Sequence, residues 1–484
     1  MEKLNVCLIN DSFPPAIDGV ANAVTNYADI LSREYGKATV VTPYYPDADD
    51  AAFGFPVLRY PSVDITRLVG YRAGMPFSPE LMKQLESAGF DLIHTHCPIT
   101  STMVARSLRD RIHVPVVFTY HTKFDIDIAN AVRSKLLREE AARLLVENIS
   151  ACDEVWTVSR GAGENLRSLG YRGPYTVMPN GVDFPQGRVS DELVAEVTRG
   201  FDLPEDLPVF LFVGRMMWYK GIRIILDALK TLMEEGRDFR MVFVGAGNDK
   251  DEIVAYAASL GLEGRALFAE PIRDRNRIRA WYCRADLFLF PSTFDTNGLV
   301  VREAAACALA SVLVAGSCAA EDVDDGVSGF LIEENAASMA AKLRSLMADR
   351  ESMRRVGEGA QRELYLSWED AVANAWERYG VVVENYRAGR YPAHEKLSDE
   401  FFHGMALTMD ALNRSRSRQL QLLQGIRSGV DELRGGVDEL KTGVDGLRAE
   451  LGELRSDLNQ GRRKLEGRLE ERLEEFYHRI DRFL

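Results

Sequence analysis

No apolar run in this chain approaches the ~18 residues that a membrane-crossing helix needs, and the opening Met1 to Asn10 reads as a buried strand, not a leader peptide. Basic residues are in deficit. Lys and Arg number 59 against 73 Asp and Glu, a formal net charge of −14, which argues against nucleic acid as a partner because phosphate binding wants a basic face. Cysteine is sparse as well: six copies, at 7, 97, 152, 283, 307 and 318, with no pair at metal-ligand or redox spacing. They read as buried thiols of a reducing cytosol. There is no Walker-type glycine–lysine loop, and Gly245-Ala-Gly247 lacks the third glycine of a dinucleotide-binding turn, which weakens the case for an NAD enzyme. What remains is ordinary globular material. With 484 residues, 46% hydrophobic and 27% charged, the chain can fill two or three sizeable cores. The expected location is the cytoplasm, a peripheral place at the inner face of a membrane being compatible with it.

Short apolar strands alternate with helical stretches, the signature of βαβ units. Strands are expected at Val6–Asn10, Ala38–Thr42, Asp91–His94, Val114–Thr119, Glu154–Val158 and Tyr175–Met178, and then at Val209–Val213, Arg240–Val244, Ala266–Phe268, Leu287–Phe290 and Ser311–Val314. Between the two series lies Pro179-Asn-Gly-Val-Asp183 and a polar stretch to about Pro208, read as an interdomain hinge. Two successive doubly wound domains facing across a deep cleft are the simplest architecture: residues 1–190 and 200–365, with a long amphipathic helix from Trp368 to Tyr386 inside a segment 366–392.

The segment 398–484 changes character. Leu423, Ile426, Val430, Leu433, Val437, Leu440, Val444, Leu447, Leu451, Leu454 and Leu458 follow a seven-residue repeat, the a and d positions of a coiled coil. Val at a with Leu at d favours two strands. The e positions Arg427, Arg434, Lys441, Arg448 and Arg455 are all basic and Glu450 and Asp457 stand at g, so a parallel homodimer is expected. The repeat also carries Gly425, Gly429, Gly435, Gly436, Gly443 and Gly446, each costing a helix about 1 kcal/mol relative to Ala. This helix should need a partner. A single frayed helix on the protein's own surface is the bland alternative.

The chemistry concentrates at strand ends. Pro291-Ser-Thr-Phe-Asp-Thr-Asn-Gly-Leu-Val-Val-Arg-Glu303 follows an apolar strand and runs into Ala304–Leu309, read as a helix start. Asp295 and Glu303 are thereby delivered to the carboxyl end of a sheet, where open α/β folds bind ligands. Asn297 and Gly298 tighten the turn and leave helical N–H groups free for an anion or hydroxyl; an ordinary acidic loop is the competing reading. Arg215 and Lys220 sit in Phe212–Gly221, the first strand-to-helix loop of the second domain. Two such cations are most simply a solvated surface, but from this position both can reach a diphosphate. In the first domain Gly19 would let backbone approach a phosphate or sugar, and His94, His96 and His121 crowd two strand ends. No Cys or His spacing supports a closed zinc site. Asp125-Ile-Asp127 spells a metal-holding signature but opens a helix, where Asp is a good cap.

Taken in order, the Phe13–Gly19 loop, His94-Thr-His96, Thr119-Tyr-His-Thr122, Val158-Ser159, Pro179–Asp183, Gly214-Arg215 with Lys220-Gly221, and the Asp295/Glu303 pair resemble the retaining glycosyltransferases of family 4, of the GT-B fold, over about Met1 to Tyr386. The resemblance implies that Arg215 and Lys220 neutralise the donor diphosphate, that Glu303 binds the donor ribose, and that Asp295 holds hydroxyls of the donor sugar with backbone at Asn297, Gly298 and Leu299. It places His121 beside the reacting carbon, Gly19 against the phosphates, and the helix from Trp368 across the first domain. The family usually has Glu at 295, often an aromatic at 297, and often two glycines where this chain has Asp18-Gly19. The implied activity is metal-independent transfer of a hexose from a nucleotide sugar, a co-substrate and not a cofactor, to a lipid or glycan acceptor. Two other readings compete: a nucleotide-sugar epimerase of the same shape, and a coiled-coil assembly protein whose transferase domain is inactive.

Overall fold

The computed structural model describes residues 3–16, 18–64, 72–75, 79–124, 128, 135–392, 435 and 439–475. Seven strands form the first sheet: β1 (Asn5–Ile9), β2 (Lys37–Pro43), β3 (Val57–Tyr60), β6 (Leu92–Thr95), β7 (Val116–Tyr120), β8 (Glu154–Thr157) and β9 (Thr176–Val177). Their order is β3-β2-β1-β6-β7-β8-β9, all parallel. Side chains alternate faces along a strand. Val6 and Leu8 of β1 therefore enter one core and Cys7 and Ile9 the other. Both faces are covered, which explains why these strands read as continuous apolar runs. A small antiparallel pair, β4 (Ser62–Asp64) with β5 (Arg72–Gly74), lies apart from this sheet.

The second sheet comprises β10 (Val209–Val213), β11 (Arg240–Val244), β12 (Ala266–Ala269), β13 (Leu287–Phe290), β14 (Ser311–Val314) and β15 (Phe330–Ile332), in the parallel order β12-β11-β10-β13-β14-β15. Both sheets are thus wound outward from their first strand and then in the opposite direction, the Rossmann arrangement. In each, the crevice between the first strand and its later neighbour is where a ligand binds. The GT-B expectation is met.

Several elements escaped the sequence reading. β3, β4, β5 and β15 are short or polar; the antiparallel pair contains Arg72 and Asp64. The stretch read as hinge contains the helix Asp191–Val197, capped by Ser190, whose Val194 and Val197 join the second core. The helix expected to start at Ala304 instead spans Leu299–Ala306, so Ala304 is near its end. Leu299, Val300 and Val301 fall in the stretch read as the turn, but Gly298 in the left-handed region (φ +59) turns the chain into the helix ahead of them.

The helix Trp368–Arg387 is capped by Ser367 and returns to the first lobe, where Trp368, Val372, Trp376, Tyr379 and Val383 share a core with Leu8, Tyr27 and Trp156. The Trp156 and Tyr379 rings stack at 5.2 Å. Residues 407–484 form a separate unit, described from 439 to 475 as helix. Its apolar positions, Leu440 to Leu473, are between 49% and 71% exposed. The earlier heptads, from Leu423 to Val437, lie outside the described residues. Among the described residues no helix is long and apolar enough to cross a membrane.

Candidate active site

The crevice of the second sheet opens between the ends of β10 and β13. From β10 the chain passes Gly214 and Arg215 into a tight turn, Trp218–Lys220, and then through Gly221 into the helix Ile222–Glu234. Gly221 is left-handed (φ +76), and a Cβ there would lie 2.4 Å from the carbonyl oxygen of Pro291. Only glycine lets the two loops touch. Lys220 is consequently driven inward, among the rings of Tyr219, Phe290 and Phe294. Its Nζ donates to Asp295 Oδ1 at 2.5 Å, and Ser292 Oγ donates to Oδ2 at 2.6 Å. Asp295 is pinned from both sides. Arg215 is exposed, its guanidinium 5.9 Å from the centre of the Tyr219 ring, with no carboxylate partner among the described residues. No side chain caps the helix Leu299–Ala306, so its first N–H groups and positive dipole end face the same crevice.

The loop after β13 is also stitched to the first lobe. Thr296 Oγ1 donates to the His121 carbonyl at 2.6 Å, and Lys123 Nζ donates to the Thr293 carbonyl at 3.0 Å. Asn297, with its amide turned to suit its neighbours, donates to the Val158 carbonyl and accepts from the Asn180 N–H, both at 3.2 Å. Glu321 reaches across as well: its carboxylate takes the N–H groups of Arg160 and Gly161 at the start of the helix Arg160–Ser168. A pocket of 210 Å³ lies alongside, lined by Ser159, Asn297, Gly298, Arg302 and Cys318 among others.

His121 comes from the end of β7 and is buried. Its Nε2 lies 3.0 Å from His96 Nδ1, and its Nδ1 faces the Asn180 amide at 3.5 Å. Burial lowers it to about 3, so the ring is neutral. His94, held well below the ordinary histidine value by burial and by the nearby His121, bonds the Thr119 hydroxyl at 2.7 Å and the Tyr379 hydroxyl at 2.5 Å. The three rings form a neutral stack, His94–His96 centroids being 3.9 Å apart and His96–His121 5.2 Å.

Glu303, on the second turn of the helix Leu299–Ala306, is buried. Arg275 Nη2 meets its Oε1 at 2.6 Å and the Tyr282 hydroxyl donates to its Oε2 at 3.0 Å. Gly19 opens the helix Gly19–Ile30, but Asp18 Oδ1 already accepts the Val20 and Ala21 N–H groups at 2.8 and 2.7 Å. No heavy atom lies within 4 Å of where a Gly19 Cβ would stand. Asp125 and Asp127 lie outside the described residues. Among the described residues no three metal-ligating side chains converge.

Two family models match the chain in turn: Glycosyltransferase Family 4 over residues 17–185, and Glycosyl transferases group 1 over 195–363. A D-inositol 3-phosphate glycosyltransferase of Xylanimonas cellulosilytica is 30% identical over 305 residues, spanning 60% of this chain and 72% of that protein. The chain belongs to glycosyltransferase family 4. An alpha-monoglucosyldiacylglycerol synthase of Acholeplasma laidlawii is 23% identical over 353 residues, covering 69% of this glycosyltransferase and 85% of that protein. Among solved structures, Anabaena HepE in complex with UDP superposes with a TM-score of 0.62 at 19% identity, covering 78% of this chain and all of that one. That likeness shows the GT-B fold.

Lys220 and Asp295 are therefore brought together in this family 4 glycosyltransferase, with Arg215 and Leu299 on the same crevice, and Thr296 beside Asp295 touches His121 across the cleft. Arg275, Tyr282, Ser292, Thr296 and Glu321 were not singled out from sequence. Each is a single residue with no local pattern, and only the fold reveals its partner.

Proposed function

We propose that this glycosyltransferase moves a hexose from a UDP- or GDP-linked sugar to a glycolipid or cell-envelope glycan acceptor, with retention at the anomeric carbon and without a metal ion. The observation that carries it is the crevice between β10 and β13, where Lys220 meets Asp295 and an uncapped helix starts, with Arg215 on the same loop as Lys220. Glycosyl transfer builds positive charge on the anomeric carbon and negative charge on the leaving diphosphate. Two cations and free N–H groups are what stabilise that leaving charge. The ion pair of Lys220 with Asp295 stands in for the donor: a nucleotide sugar offers phosphate oxygens to one partner and hydroxyls to the other. His121 is neutral, so it adds no charge of its own beside the reacting carbon. The lipid side of the reading is supported by a relative named for a glycolipid, the alpha-monoglucosyldiacylglycerol synthase. Such acceptors would bring the enzyme to the inner face of a membrane. The tail would pair with that of a second copy.

A thermal-shift panel of nucleotide sugars, followed by mass spectrometry of products from cell-extract lipids, tests the donor and acceptor. Turnover should persist in a chelator, and Lys220→Ala should lower it by about a hundredfold to a thousandfold. Full activity in that variant would remove Lys220 from the site, and conversion of a sugar with no acceptor present would point instead to an epimerase.

A further inference from the structure

Arg275 starts the helix Arg275–Arg284, just after the Asp274 cap. Its Nη2 lies 2.6 Å from Glu303 Oε1 and 3.6 Å from Asp183 Oδ2, and its guanidinium packs 4.4 Å from the centre of the Phe184 ring. One cation is thus shared between a donor-lobe carboxylate and an acid of the interlobe segment. Asp183 in turn accepts from Asn22 Nδ2 at 3.4 Å, on the first-lobe helix Gly19–Ile30. The other oxygen of Glu303 accepts from the Tyr282 hydroxyl. Each carboxylate oxygen offers two lone-pair sites. Arg275 and Tyr282 occupy one apiece, which leaves one on each oxygen for a pair of neighbouring hydroxyls.

We propose that Arg275 is a positioning residue of the donor site, fixing the Glu303 carboxylate as an acceptor for the vicinal ribose hydroxyls of the nucleotide, so that ribonucleotides are preferred over deoxyribonucleotides. The inference rests on the proposed nucleotide-sugar reading and on the ribose-binding role that the family resemblance implies for Glu303. Burial holds the Glu303 carboxyl above its ordinary value and Asp183 adds to that, while Arg275 and the Tyr282 hydroxyl offset part of the rise. The charged and titratable groups facing it are Arg275 and Tyr282 from the helix Arg275–Arg284 and Asp183 from the interlobe segment; Cys307, at the end of its own helix, faces Tyr282. With the guanidinium gone, Glu303 takes up a proton at a higher pH. A protonated carboxyl must donate where it formerly accepted, and its grip on two hydroxyl donors is lost.

The test is calorimetric titration of the full chain with UDP, GDP and ADP and their 2′-deoxy counterparts, from about pH 5 to about pH 8, for wild type, Arg275→Met and Arg275→Lys. Wild type should prefer the ribonucleotide at neutral pH and keep that preference further into acid than Arg275→Met does. Arg275→Met should keep the preference at the alkaline end and lose it on the acid side, by up to about tenfold per pH unit below the raised value. Arg275→Lys, which keeps the charge, should restore most of it. A wild-type pH profile in Arg275→Met overturns the proposal. So does a loss that is uniform across pH and equal for both sugars, since that reports only lost packing on Phe184. Equal binding of ribo and deoxy forms by wild type would instead overturn the ribose role of Glu303, and the proposal with it.

Discussion

Asp295 departs from the family's usual glutamate, and its surroundings show what the shorter chain does. Lys220 and Ser292 bond one oxygen each, which ties the carboxylate to its own loop. Asp295→Glu should push it forward; the expected outcome is a shift in preference among nucleotide sugars, read as kcat/KM ratios for UDP-glucose and UDP-galactose, with unchanged ratios assigning donor choice elsewhere. The histidine stack makes a second prediction. His94, His96 and His121 are all depressed by burial, so in acid the unfolded chain binds protons that the folded chain refuses. Stability should therefore rise with pH from about 3 to about 6.5, the interval between the folded His121 value and the ordinary one. With up to three such protons the slope reaches about 4 kcal/mol per pH unit. Denaturant unfolding across that range checks it; His94→Gln should flatten the curve.

At the scale of elements, the interlobe segment meets the cap of the crossing helix backbone to backbone. Val182 N donates to the Leu366 carbonyl at 3.0 Å, and a Cβ on Gly181 would fall 2.4 Å from the Ser367 carbonyl oxygen. Gly181→Ala must displace backbone at the helix cap, and should cost about 1–3 kcal/mol, seen as a lower melting temperature. The sequence made most of this level legible. The long buried strands from β1 to β14 announced themselves because strands covered on both faces are apolar at every position. β15 and the pair β4–β5 did not, being three residues each, too short for a period to appear. In the candidate site, Lys220 and Asp295 could be picked out because they lie in loops that follow strands, and Glu303 because it lies on the helix that the second loop enters. The pairing of Lys220 with Asp295 was not legible, because a lysine 75 positions from its aspartate leaves no spacing to read. Near Gly19 the same holds: that Asp18 accepts the Val20 and Ala21 N–H groups is a detail the sequence did not show.

At the scale of the whole molecule, the proposed pairing through the tail makes a prediction. The tail's described helix leaves Leu440, Leu447, Leu451, Leu454 and Leu458 more than half exposed, a stripe of the kind that a coiled-coil partner covers. Basic residues flank it at Lys441, Arg448 and Arg455, with Glu450 and Asp457 on the opposite flank, which suits a parallel second copy. The full chain should have the mass of a dimer by light scattering, and a chain ending at Pro392 that of a monomer. An unchanged state after truncation would refute pairing through the tail.

The return of the helix Trp368–Arg387 to the first lobe also fixes an order of events during synthesis. Tyr27, Trp156 and His94 wait for Trp368, Trp376 and Tyr379, which leave the ribosome only after the whole second lobe. Domains generally fold as they emerge, the N-terminal one first. Here the lobe begun first is finished last, its apolar face open while the second lobe forms. A nascent chain stalled before Ser367 should thus be protease-sensitive in its first lobe and become resistant once the final helix is released.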